Sequence, residues 1–273
     1  MPEFICPVCG YPLHRRDKAL KCENGHSYDI ARQGYVNLLM SNASSSKRHG
    51  DDRTMVRARQ HFLSRGYYDA LAGRIEDLAV KYSPHNVSLL DAGCGECWYT
   101  ARVKKALENA GKKVHAAGID ISKYALMAAH SRGGDIKTAV ASVFSLPIGD
   151  DSCDIVLNVF APCAEKEFAR VLKKGSILIR AIPLEKHLFG LKKAVYDAPY
   201  ENPPVSPELC GFDISEICDI KSSITVSPHA DIEALFMMTP YYYKTSAADQ
   251  AKLKTLNSLE TLIEFEVIVY KKP

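Results

Sequence analysis

No run of apolar residues in this 273-residue chain approaches the ~18 needed to cross a bilayer, so a membrane-spanning helix is excluded and no membrane partner is expected. The opening residues, MPEFICPVCG, lack the basic stretch and long apolar core of a secretory signal, and the expected location is cytoplasmic. Neither sign of charge dominates. The 35 Lys and Arg stand against 32 Asp and Glu, and a formal net charge of +3 does not by itself demand a nucleic-acid partner. There is no internal repeat. The nine cysteines are odd in number and unevenly placed, which argues against a disulfide framework and, in a reducing cytosol, for metal binding. What remains is an ordinary globular composition, 47% apolar and 25% charged, long enough for a catalytic core plus a small extra module.

Three of the cysteines cluster in CPVCGYPLHRRDKALKCENGHSYD, with the spacing Cys6-x2-Cys9, twelve residues, then Cys22-x3-His26. Each short pair makes a tight turn, aided by Pro7, Gly10 and Gly25, and a connecting hairpin brings the pairs together. Three thiolates and an imidazole complete a tetrahedral Zn2+ site with no open position for water. The zinc is therefore expected to be structural, holding a segment too short to build its own core. Arg15, Arg16, Lys18 and Lys21 in the same segment suit either a solvated face or contact with phosphates.

A polar stretch, SNASSSKRHG, has linker composition. This divides the chain into a zinc-binding domain over 1–40, a linker over 41–50 and a larger domain over 51–273. The larger domain opens with helical periodicity, Met55, Ala58, Phe62 and then Leu71, Ile75, Leu78, with Gly66 separating two helices. Lys47, Arg48, Arg53, Arg57, Arg59 and Arg65 concentrate here, as an ordinary charged face or as RNA phosphate contacts. From residue 87, five strand segments (VSLLDA, VHAAGID, IKTAVA, CDIVLNVF, SILIRAI) alternate with helical ones. That alternation predicts an α/β fold of Rossmann-like parallel βαβ units, and ITVS (224–227) and FEVIVYKK (265–272) are further strand candidates.

The first strand runs into Asp91-Ala-Gly93-Cys-Gly95-Glu96, and a second acid, Asp120, ends the next strand in GIDIS. Glycines let backbone approach a ligand closely, and a carboxylate at the second position can accept both ribose hydroxyls of a nucleoside. Asp120 also suits a helix-capping role. The turn has neither G-x-G-x-x-G nor the Lys-Ser/Thr of a phosphate-gripping loop, so S-adenosylmethionine (SAM), which carries no phosphate, fits better than NAD or ATP. The Cys94-x-x-Cys97 pair is read as small residues packed beside this turn rather than as a redox motif. Ser142, after the third strand, is the candidate to meet the adenine. The end of the fourth strand is where a methyl acceptor belongs. Asp154, which begins that strand, Asn158 near its end and Phe160 just after it are weak catalytic candidates, with Phe160 placed to stack on a base.

Taken in order, the zinc cluster, YVNLL, ARQHFLSRGYY, DAGCGE, GIDIS, the LP turn, FAPC, PLEKHLFGLKKAVY and MMTPYYYK resemble one family across nearly the whole chain. It is that of the bacterial 23S rRNA (guanine-N1)-methyltransferases of RlmA/RrmA type. The resemblance implies SAM-dependent methylation of guanine N1 in a domain II hairpin, linked to macrolide sensitivity or resistance. It also implies a homodimer whose zinc domains help form an RNA cleft. It places cofactor contacts on Tyr68, Gly95, Glu96 and His187, and zinc on Cys6, Cys9, Cys22 and His26. Cys97 and Trp98 depart from the family's usual glycine and tyrosine. A small-molecule methyltransferase, or a noncatalytic zinc-containing RNA-binding protein, are the alternative readings.

Overall fold

The structure, a computed structural model, describes residues 3–40, 50–132 and 135–273. The proposed linker falls almost entirely on residues 41–49, outside the described ones, as do Lys47 and Arg48.

The first strands, β1 (His14–Arg16), β2 (Ala19–Lys21) and β3 (Ser27–Asp29), form a small antiparallel sheet around the metal-ligand cluster. The remaining elements are β4 (Val36–Asn37), α1 (Arg53–Ser64), α2 (Asp69–Tyr82), β5 (Asn86–Ala92), α3 (Trp98–Asn109), β6 (Lys113–Asp120), α4 (Lys123–Ala129), β7 (Ile136–Val140), β8 (Cys153–Val159), α5 (Glu165–Val171), β9 (Leu172–Pro183), α6 (Phe189–Val195), β10 (Asp213–Val226), α7 (His229–Met237), α8 (Ala247–Ala251) and β11 (Leu259–Lys271). Among the described residues, eight of the strands form one sheet in the order β10-β11-β9-β8-β5-β6-β7-β4. Strands β4 to β9 in this sheet run parallel, and β11 and β10 are added antiparallel to β9 and to each other.

Burial explains these choices. All seven residues of β8, and six of seven in β5, are buried, as befits central strands with helices on both faces. Helix α1 starts where Asp52 Oδ1 accepts the backbone N–H groups of Thr54 and Met55, at 2.8 and 3.0 Å. It buries Val56, Ala58, Phe62 and Leu63, and ends before Gly66.

Two regions differ from the sequence reading. The tail strands are much longer than the short segments expected, and β10 is mostly exposed, so its polar side chains mask an edge strand. The second difference is β4, which pairs with β7 through Val36 and Asn37. Nearby, Leu38 N–H donates to Val140 O at 2.9 Å and Ile5 N–H to Pro147 O at 2.9 Å. Phe4, Leu13, Val36 and Leu38 share one apolar cluster with Ala141, Val143, Leu146 and Ile148. The zinc-ligand segment is thus packed onto the sheet's β7 edge, against the segment that follows β7.

Candidate active site and zinc centre

The strand order reverses between β5 and β8, so their carboxyl ends diverge and open a crevice. Beyond β5, the N–H groups of Gly93 and Cys94 both donate to Ile119 O, at 2.8 and 3.0 Å, and tie the turn to β6. Gly93 has φ +92°, and a Cβ there would lie 2.3 Å from that of Ala161, so no larger residue fits. Across the turn, a Cβ on Gly118 would meet Cys94 Sγ at 2.8 Å and Cys97 Sγ at 3.2 Å. The two thiols fill the space over Gly118. Burial raises the Cys94 thiol well above its usual range, which suits packing and not redox chemistry. Cys97 sits at φ +59°, a left-handed conformation that a glycine adopts without strain.

The crevice is a cleft of about 430 Å³. Of the residues expected to contact a cofactor, Gly93, Gly95, Glu96, Asp120 and Ser142 border it, and so does Phe160. Asp120 accepts Gly95 N–H at 2.8 Å and Ser122 N–H at 2.7 Å. Its capping-like bond and its place at the crevice therefore coexist. Burial raises its pKa, against those two hydrogen bonds and the nearby Arg59. Ser142 Oγ accepts Phe144 N–H at 3.2 Å and shapes the wall after β7.

Asp91 lies behind the turn and does not border the cleft. Thr100 Oγ1 donates to its Oδ2 at 2.5 Å, and burial pushes its carboxyl up to about 7. Tyr68 and His187 form a buried pair behind Phe160. Glu264 N–H donates to His187 Nδ1 at 3.3 Å, so Nε2 carries the ring hydrogen and donates to Tyr68 Oη at 3.2 Å. That assignment follows from the hydrogen-bond network; both side chains are buried and neither borders the cleft. The Tyr68 and Phe160 ring centroids are 6.4 Å apart.

Two of the three catalytic candidates are corrected. Asp154 stands at the amino end of β8, away from the crevice, where it accepts Ser88 N–H at 2.8 Å and the Lys173 ammonium at 2.7 Å. It is a structural anchor. Asn158 is 1% exposed and its Nδ2 donates to Ala92 O and Pro162 O, at 3.3 and 3.1 Å, so it braces the loop after β8. Phe160 keeps its candidacy: it is 44% exposed at the cleft, at φ +54°.

Sequence reasoning placed Arg59 among the basic residues of a charged or RNA-contacting face. Instead it enters the cleft, where Nε donates to Glu96 Oε2 at 2.7 Å and Nη1 pairs with Asp51. Burial opposes its charge, but the carboxylates of Glu96 and Asp51 outweigh that and hold it protonated. The signal was present: Arg59 lies on the stripe that includes buried Val56, Phe62 and Leu63. Arg65 is likewise committed, to Asp231 at 3.0 Å, and Arg53 lies over the Tyr124 ring. Arg57 remains exposed on α1.

The zinc ligands converge. Sγ of Cys6, Cys9 and Cys22 and Nδ1 of His26 all lie within 4.8 Å of one another. His26 Nδ1 is 3.4–3.5 Å from each sulfur, and Cys9 and Cys22 are 3.7 Å apart. A zinc tetrahedron with bonds of about 2.1–2.3 Å has edges of about 3.6–3.8 Å, so the donor set fits the ion. Tyr28 Oη, 3.2 Å from Cys6 Sγ, supplies a supporting hydrogen bond.

The cleft also fits SAM. Arg59 Nη2, Glu96 Oε1 and Tyr99 Oη all border it, and each is buried without a protein partner, a costly arrangement that a polar ligand relieves. Together with a carboxylate at the ribose position and glycines at the turn, this defines a SAM-dependent methyltransferase domain with an attached structural zinc centre.

Comparison with known proteins agrees. The RlmA N-terminal zinc-ribbon profile matches residues 4–47, and a methyltransferase-domain profile matches residues 90–180. A relative in Micromonospora griseorubida, provisionally named a 23S rRNA (guanine-N1)-methyltransferase, is 37% identical over 70% of this chain and 69% of its own length. The 23S rRNA (guanine(748)-N1)-methyltransferase of Streptomyces fradiae is 36% identical over 70% of this chain and 66% of its own. The solved YcgJ protein of Bacillus subtilis shares the fold alone, at a TM-score of 0.51 and 16% identity, over 74% of this chain and 97% of that one. The chain belongs to the 23S rRNA (guanine-N1)-methyltransferase family.

Proposed function

We propose that this protein methylates N1 of a guanine in a hairpin of 23S rRNA domain II. The observation that carries the reading is the join between zinc centre and cleft. The segment after β7 supplies Ser142, Val143 and Phe144 to the cleft wall and is gripped by Phe4, Leu13 and Leu38 of the zinc segment. On that same segment His14, Arg15 and Arg16 form a fully exposed basic strand. A surface suited to phosphates is thereby fixed to one wall of a methyl-transfer cleft. The activity for which the relatives are named supports the choice of guanine N1.

In this reading Asp120 grips the cofactor's ribose, Ser142 flanks its adenine, and Gly93 and Gly95 admit its backbone-close approach. Asp91 supports the turn from behind, and Tyr68, held by His187, stands behind Phe160. Bound SAM supplies an electrophilic methyl group on a sulfonium. Guanine N1 carries a proton at neutral pH, so methylation there would release that proton to water, and the cofactor would leave as S-adenosylhomocysteine. Phe160 receives the flipped base by stacking, and alignment accounts for most of the rate gain. A homodimer, presenting two zinc centres to one RNA, belongs to the same proposal, as does an effect on macrolides that bind near the exit tunnel.

N1 methylation blocks base pairing and so arrests reverse transcriptase. Ribosomal RNA from cells with and without this protein should differ by one stop, beside one domain II guanine. Identical stop patterns, with methyl transfer to a small molecule instead, would replace this reading.

A further inference from the structure

Phe144 is 64% exposed, more than any other large apolar side chain among the described residues, and it stands on the wall of the cleft. Its neighbours turn the other way. Val143, Leu146 and Ile148 are buried in the apolar cluster shared with the zinc segment, and a turn closed by Ser145 N–H on Ser142 O, at 3.1 Å, leaves the Phe144 ring in solvent. The backbone beneath it is held on both sides. Glu167 Oε2 accepts Leu146 N–H at 2.7 Å, and Arg170 donates to Leu146 O and Ile148 O at 2.9 and 2.7 Å. From the zinc segment, Ile5 N–H donates to Pro147 O at 2.9 Å. A ring so bare contributes little burial to folding, and one on a rigid support loses little freedom on binding. Both features suit a ring kept for a partner.

The surroundings indicate the partner's chemistry. Arg15 and Arg16 are exposed on the same zinc segment that grips this wall, and they favour a polyanion. We propose that Phe144 is a stacking platform for an unpaired base of the RNA substrate, a base other than the one methylated. The proposal rests on the RNA reading given above and adds a second base contact to it. Phe160, the ring that receives the target guanine, follows β8, whereas Phe144 follows β7. Strands β5 and β6 lie between them, so the two strand ends are three spacings, about 14 Å, apart. One base clamped between two rings needs them roughly 7 Å apart, twice the stacking distance of about 3.4 Å. The two phenylalanines therefore serve different bases, with the glycine turn between them. A second base held on the zinc side fixes the register in which the target guanine enters.

The test is hairpin binding by the intact, zinc-loaded protein, read by fluorescence anisotropy of a labelled domain II transcript, beside calorimetry with SAM. Phe144→Ala should weaken hairpin binding roughly 10- to 100-fold and SAM binding by less than about twofold. Phe144→Trp should keep the affinity for RNA. Phe144→Leu, equally apolar but with no π face, should bind the hairpin as weakly as Phe144→Ala. Hairpins with one abasic site at a time then locate the base. At a single unpaired position, other than the methylated guanine, wild-type affinity should drop to that of Phe144→Ala, while the variant loses nothing further. Unchanged hairpin affinity in Phe144→Ala, or wild-type affinity in Phe144→Leu, would overturn the assignment. Equal loss of SAM and RNA would make Phe144 a cofactor wall and overturn it too, as would coupling to the methylated guanine itself. Wild-type protein that binds SAM but no hairpin would overturn the RNA reading instead, a failure seen before any variant is made.

Discussion

Gly95 N–H donates to Asp120 Oδ2 at 2.8 Å, so the bend after the first core strand is fastened to the carboxylate that closes the second. Each carboxylate oxygen of Asp120 accepts one backbone N–H and retains a further lone pair for a ribose hydroxyl. Asp120→Ala removes both roles. It should lower SAM affinity roughly 10- to 100-fold and cost about 1–3 kcal/mol of stability for each backbone donor left unpaired. Calorimetry and denaturant melts measure the two losses separately. Unchanged affinity would remove Asp120 from the ribose role.

The zinc centre should matter to the cofactor even without RNA. Loss of the ion frees Phe4, Leu13 and Leu38 from the segment that lines the adenine side of the cleft. Chelation should therefore weaken SAM binding by roughly tenfold or more, one step of about 1.4 kcal/mol. Readdition of zinc should restore it. Tyr28→Phe, which deletes the hydroxyl beside Cys6, should reduce zinc affinity roughly 10- to 100-fold in a competition assay with a chromogenic chelator.

Phe160 separates cofactor binding from RNA turnover. Its ring is exposed at the cleft and, among the described residues, meets the rings of Tyr68, Tyr99 and Phe265. Stacking on a base is worth about 1–3 kcal/mol. Phe160→Ala should leave SAM affinity within about twofold and lower kcat/KM for an RNA hairpin roughly 10- to 100-fold. Equal losses of both would make it a core residue.

His187 sets a pH signature. Burial, aided by Lys192, lowers its pKa to about 3 from an ordinary value near 6.5. Because the folded pKa is the lower one, its contribution to stability is complete above pH ~6.5 and is lost as pH falls toward 3. Asp91, raised by burial to about 7, acts with the opposite sign across much of the same window. The comparison must therefore be between variants. His187→Gln should gain about 2 kcal/mol relative to wild type on going from pH 7.5 to pH 5, read from paired denaturant melts. A parallel pH dependence in the two proteins would contradict the buried neutral imidazole.

The legible parts of the sequence were those where spacing and chemistry coincide. Cys6, Cys9, Cys22 and His26 carry their geometry in their intervals, and Asp91 through Glu96 carries strand end and turn in six residues. Buried β5 and β8 announced themselves as apolar runs covered on both faces. Strand β10 did not, because an exposed edge strand has no buried face to pattern. Arg59 was missed because net charge was weighed before helix phase; the same guanidinium on the opposite side of α1 would have been a surface cation. Asp154 was read at the start of its strand, and the structure places it there; the crevice at the other end of β8 is what removes it from the chemistry.

The most direct measurement is methyl transfer from labelled SAM to an unmodified transcript of the domain II hairpin, mapped by primer extension. One new stop, beside a single guanine, absent without SAM and abolished when that guanine is replaced by adenosine, is the outcome expected. Label incorporated with no new stop, or no label in RNA from zinc-loaded protein that binds SAM, would contradict guanine N1 as the acceptor.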